Sequence, residues 1–155
     1  MDFNEYITEI KRGYFDSNEN EKSELFLKYP KFLAGEFTKT NNLNSYKQIR
    51  SIYDYVNSIN TKIKQKQISW QNGRNQLLIL LSKINDKNRK GVVSDKFLEF
   101  FDANINFINT PKELNVFTQH LMCICNYYPK DEGKNSTNKF YGNKNNYNNK
   151  KSYNR

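Results

Sequence analysis

Apolar residues recur every three or four positions along most of this chain, with polar residues filling the gaps. The clearest run lies between Ser45 and Lys64, where Ile49, Ile52, Tyr53, Val56, Ile59 and Ile63 fall on one stripe of a helix turning about 100° per residue. Ser45 stands ahead of it, where a side-chain oxygen can cap the first free amides. Lys47 and Arg50 fall outside the stripe. A helix that seats its apolar face in a core holds such cations out in fixed positions.

The same periodicity predicts further helices. Phe3, Tyr6, Ile7 and Ile10 suggest a short first helix ended by Gly13. Leu25, Leu27, Phe32, Leu33 and Phe37 suggest a second helical region, broken or kinked near Pro30, because proline lacks an amide and crowds the preceding turn. A fourth helix runs from Ser69 to about Asn88, with Trp70, Leu77, Leu80, Leu81 and Ile84 inward. Ser94 caps a fifth that carries Phe97, Phe100, Phe101, Ile105 and Ile108. Thr110-Pro111 opens the last, whose Leu114, Phe117, Leu121, Ile124 and Tyr128 complete the core before Pro129. No alternating strand pattern bounded by hairpin turns occurs. The expectation is an all-α fold, a compact antiparallel bundle of about five to six helices over residues 1–129.

From Lys130 the pattern stops. Residues 130–155 are rich in Asn and Lys, with Tyr141, Tyr147 and Tyr153 spaced six apart. Such a segment has too little apolar surface to offset its ordering entropy, so a disordered basic C-terminal tail is expected. Its tyrosines could stack on bases of single-stranded nucleic acid or simply keep the tail soluble. The tail holds seven of the chain's bases against Asp131 and Glu132, so the net charge of +9 is shared between tail and body. A basic balance favours nucleic acid or another anionic surface as partner.

Composition removes several function classes. No apolar run approaches a membrane span, and the acidic N-terminus is unlike a signal peptide, so a soluble cytoplasmic protein is expected. The sequon at Asn135 carries little weight in that setting. Cys123 and Cys125 point about 200° apart on a helix, and with His120 they supply only three of the four ligands a structural zinc needs, so core packing is their expected role. His120 has no arginine four to six residues before it and no second histidine beside it, which argues against RNA-cleaving chemistry. Gly73 and Gly91 are isolated, so no phosphate loop is formed, and there is no nucleophile elbow. The expectation is a protein that is not an enzyme and needs no cofactor or metal.

Several stretches, taken in order, resemble the small subunit of type III-A CRISPR effector complexes, the Csm small-subunit family. They are Gly13-Tyr14-Phe15-Asp16, Phe32 to Phe37, and Leu43 to Tyr53 with Gln48-Ile49-Arg50 at its centre. Lys83 to Lys90, Phe97-Leu98, and Phe117 to Tyr128 continue the match, which covers roughly residues 10 to 130. The chain departs from the family at Ser82 to Asp86, where a proline and a tyrosine are missing. The resemblance implies a non-catalytic RNA-binding subunit, present in several copies that self-associate into a short filament. It implies contacts with CRISPR RNA and target RNA, and with the backbone and large subunits, in support of antiviral RNA interference. Because the guide reads sequence by base pairing, such a subunit needs only phosphate contacts. Arg50 is the first candidate, followed by Lys47, Lys83, Arg89 and Lys90. Arg50 could instead pair with Asp54 one turn on, and the cations ending the fourth helix could serve its dipole. The rival readings are a helical protein–protein adaptor without nucleic-acid contact and a DNA-binding repressor. For the latter, the turn at Gly91 leads into no exposed base-reading helix.

Overall fold

The structure, a computed structural model, describes residues 1–40 and 42–129. The tail, with Asp131, Glu132 and Asn135, lies outside the described residues, so the expected disorder and the boundary at residue 130 concern a part not described. Among the described residues six α-helices follow one another: α1 (Phe3–Lys11), α2 (Lys28–Thr38), α3 (Tyr46–Lys64), α4 (Trp70–Arg89), α5 (Asp95–Phe107) and α6 (Pro111–Asn126). A 3₁₀ turn, Ser23–Leu25, precedes α2. No strand occurs among the described residues, and the all-α bundle is as the periodicity predicts.

Local chemistry sets most helix starts. Asp2 and Glu5 form a reciprocal box, each side chain accepting the other's backbone amide at 2.9 and 2.8 Å. Ser45, Ser69, Ser94 and Thr110 each accept the amide three residues on, and Pro111 occupies the first turn of α6. The second helical region differs from expectation in its details. The break falls at Phe26 and Leu27, and Pro30 is the third residue of α2. There its missing amide would have had no helical acceptor, and its ring meets no preceding helical turn. α6 likewise ends at Asn126, three residues before Pro129.

The helices close around an aromatic centre. α3 packs against both α4 and α6, α6 against α2, and α5 against α1 and α4. Phe37, Phe97, Phe100, Phe101 and Phe117 are fully buried, with edge-on pairs such as Phe37–Phe97 at 5.2 Å and Phe101–Phe117 at 5.7 Å. Gly73 serves the α3–α4 seam. A methyl group there would lie 2.4 Å from Ile63 Cδ1, so only glycine lets the two helices approach this closely without a shift of Ile63. Glycine inside a helix costs roughly 1 kcal/mol relative to alanine, which this close approach offsets in part.

Polar groups in the core are fully partnered. His120 is buried, donates from Nδ1 to the Leu25 carbonyl, and accepts at Nε2 from the Tyr6 hydroxyl at 2.9 Å. Tyr6 accepts in turn from Asn104 at 3.1 Å, and Tyr14 donates to Asn104 Oδ1 at 2.6 Å. Among the described residues no buried side-chain polar atom lacks a partner. The expected structural role for His120 agrees with this geometry.

Burial lowers the His120 pKa from 6.5 to about 4, against the opposing Leu25 hydrogen bond. The fold therefore favours neutral imidazole, and its contribution is complete above pH 6.5 and declines toward about pH 4. The unfolded chain binds the proton in that window and the folded chain does not, so stability falls by about 3 kcal/mol. Glu36 is held low by hydrogen bonds from Lys39 and then Lys96, and titrates below its ordinary range. Urea denaturation across this pH series should show the decline in the natural chain and a flatter one in His120→Gln. Equal slopes in the two proteins would contradict the assignment.

Candidate nucleic-acid interface

The placement of the cations follows from how α3 is packed. Its inward residues Ile49, Ile52, Tyr53, Val56, Ile59 and Asn60 are buried between α4 on one flank and α6 on the other. The α4 flank is marked by two contacts. Lys87 donates to Gln48 Oε1 at 3.1 Å, and Lys83 Nζ sits 5.3 Å from the centre of the Tyr55 ring. As the α3 number rises the α4 number falls, so the helices run antiparallel. The C-terminal half of α4 therefore lies beside the N-terminal half of α3.

Arg50 lies on the opposite flank. It is about 160° round the helix from Gln48 and about 140° from Tyr55. Its guanidinium stands 5.2 Å over the Tyr53 ring, and Nε donates to Asp54 Oδ1 at 3.3 Å. Interaction with Tyr46, and then the Asp54 carboxylate, raises its pKa further, so it stays charged. Both partners are well exposed, Arg50 at 45% and Asp54 at 61%, and the base precedes the acid. Such a pair contributes a few tenths of a kcal/mol at most and yields easily to a competing anion. Lys47 is exposed one turn before Arg50 on the outer surface of α3.

The remaining candidates gather at the end of α4. Lys87 and Arg89 occupy its last turn, where positive charge complements the helix dipole. Arg89 is exposed. Lys90 pairs with Asp86 at 2.8 Å, which raises its pKa and lowers that of Asp86. Here the acid precedes the base, the better orientation, so Lys90 offers an anion less than Arg89 does. The five predicted residues thus divide. Lys83, Arg89 and Lys90 belong to the α4 side, while Lys47 and Arg50 lie across the outer face of α3.

Two contributors escaped the pattern of the sequence. Gln48 accepts from Lys87 across the α3–α4 seam. Asn44, buried at 1% exposure, holds the entry to α3. Its amide donates to the Phe37 carbonyl at 3.1 Å and to Ser94 Oγ at 2.7 Å, and its Oδ1 accepts the Ser94 amide at 2.8 Å. Its backbone accepts from Tyr128 and donates to Val92, both at 3.1 Å. Its φ of +54° is one that asparagine tolerates better than most side chains. The visible signal was an asparagine just before an N-cap serine, which alone does not indicate a node.

Other chemistry is placed elsewhere. Cys125 packs in the core, where burial pushes its thiol up to about 11, and burial also raises Cys123. Among the described residues no group of three His, Cys, Asp or Glu side chains is arranged to hold a metal. No described helix is long and apolar enough to cross a membrane.

Replacing Asn44 by Ala would strip partners from the buried Ser94 amide and the Phe37 carbonyl. The expected loss of stability is about 2 kcal/mol or more by urea denaturation. A change within about 0.5 kcal/mol, the range of an ordinary surface substitution, would contradict its role as a node.

A family model described as Csm2 Type III-A matches residues 19–134, most of the chain. No curated protein and no solved structure matches it.

Proposed function

The chain belongs to the Csm2 Type III-A family, and from that premise we propose that it is a non-catalytic subunit that binds the phosphate backbone of RNA without reading its sequence. Membership makes it a small subunit of a type III-A CRISPR complex. The finer reading covers the RNA contact, the stacking of several copies along the guide–target duplex, the contacts with backbone and large subunits, and a place in antiviral defence in the cytoplasm.

The observation that carries the reading is the rigid display of Arg50. Its helix is anchored on two sides, its capping serine follows a five-bond node, and its counter-ion is a weak exposed carboxylate. A cation held this way loses little entropy when a phosphate arrives, and its planar fork suits two phosphate oxygens. Lys47 extends the same surface, while Lys83 and Arg89 supply a second track along α4. Base discrimination would require side chains aligned to base edges, and phosphate contact alone needs none. Few contacts per copy imply weak binding to free RNA. Affinity then comes from neighbouring copies that raise the effective concentration.

Charge substitutions separate this reading from a protein–protein adaptor. Within the assembled complex, Arg50→Ala and Lys83→Ala should each lower the slope of log affinity against log salt by about 0.7 to 0.9. Asp54→Asn should strengthen RNA retention, because it removes the carboxylate that competes for Arg50. Filter binding over a salt series reads both effects. Unchanged slopes with intact assembly would leave the adaptor reading in place.

A further inference from the structure

Three tyrosines lie on α3, and they differ in what they offer to a ligand. Tyr53 is buried beneath Arg50, and Tyr46 packs against the ring of Tyr128 at 6.1 Å. Tyr55 is 37% exposed and lies outside the packed core. A solitary exposed ring would call for no account, but Tyr55 is not solitary.

Lys83 Nζ reaches across from α4 to within 5.3 Å of the centre of the Tyr55 ring. Lys83 is exposed, and none of the ion pairs among the described residues includes it. Arg50 and Lys90 differ, because Asp54 and Asp86 partly answer their charges. Ile79 stands one turn before Lys83, about 40° away round α4, and is 53% exposed. Lys62 follows Tyr55 by two turns on the same face of α3 and is exposed as well. The α4 flank of α3 thus presents an aromatic ring and an aliphatic side chain to water, with cations beside them.

Single-stranded nucleic acid is bound by this combination of groups. Cations follow the backbone, and a ring offers its face to a base of any identity. Within a duplex each base is covered by its neighbours above and below, so an exposed tyrosine finds no free face there. An unpaired base, splayed from its stack, supplies one. Lys83 places a phosphate contact next to that base contact without first leaving a carboxylate.

We propose that Tyr55, Ile79 and Lys83 form a stacking subsite for one unpaired nucleotide of RNA, with the base on the tyrosine ring and its phosphate on the Lys83 ammonium. The subsite rests on the reading of α3 as an RNA-binding surface and adds a contact that is not ionic. Stacking tolerates every base, so binding stays indifferent to sequence while it distinguishes unpaired from paired RNA.

The test titrates the full chain at low salt with two single strands of equal length. One is an oligoadenylate, and the other is abasic throughout, with the phosphates kept and the bases absent. The natural chain should favour the oligoadenylate. Tyr55→Ser should weaken that binding about fivefold or more, with the abasic strand and the salt slope unaffected. Tyr55→Phe should keep the preference. Tyr55→Leu, which retains apolar bulk should serine disturb the fold, should behave as Tyr55→Ser does. Equal binding of the two strands by the natural chain, or an undiminished preference in the serine and leucine variants, would overturn the proposal. A lowered salt slope in those variants would also overturn it, since Tyr55 would then act only as a support for Lys83. The phosphate reading is judged separately, by the slopes of Arg50→Ala and Lys83→Ala in the assembled complex.

Discussion

Everything in this bundle follows from the burial of one face of α3 between two neighbours. Its stripe of isoleucines, with Tyr53 and Val56, is too wide to be covered by a single helix, and α4 and α6 take one side each. That two-sided burial removes α3's freedom to roll about its axis. A helix that cannot roll presents its remaining residues in fixed directions, which is why the charge pattern of α3 has a meaning that residue type alone lacks. The tight contact at Gly73 and the Lys87–Gln48 bond set the spacing of the α4 flank.

The rigidity has polar as well as apolar sources. Asn44 ties the end of α2, the start of α3, the cap of α5 and the chain after α6 into one junction. At the centre of the bundle, the chain His120–Tyr6–Asn104–Tyr14 partners its own buried polar groups. Buried networks of this kind tolerate no half measures, because each unpaired group costs its full desolvation. The bundle is thus a stiff mount for the exposed charges on its surface.

Most of the helices were legible because their signals are local. Serine and threonine caps, stripes at helical spacing and the Thr110-Pro111 start each depend on neighbours within one or two turns. The break near Pro30 was read in the right region but placed a turn too late, since proline is harmless in a first turn and disruptive after it. The candidate cations were legible as exposed residues, yet their grouping was not. Nothing in the spacing tells which neighbour flanks which side of α3, so the sequence does not reveal that Arg50 and Lys83 lie on opposite flanks. Asn44 was hidden for the same reason, because all its side-chain partners lie at least seven residues away.

Among the described residues, cations gather on α3 and the end of α4, while Asp95, Glu99 and Asp102 lie along α5. Polarity of this sort orients a subunit against a polyanion, since the acidic side is repelled as the basic side is attracted. The most direct measurement is photocrosslinking of assembled complexes loaded with RNA that carries thiouridine, followed by mapping of the crosslinked peptides. The account predicts crosslinks within residues 46–55 of α3 and 83–90 of α4. Crosslinks concentrated on α5, with α3 left unmodified, would contradict it.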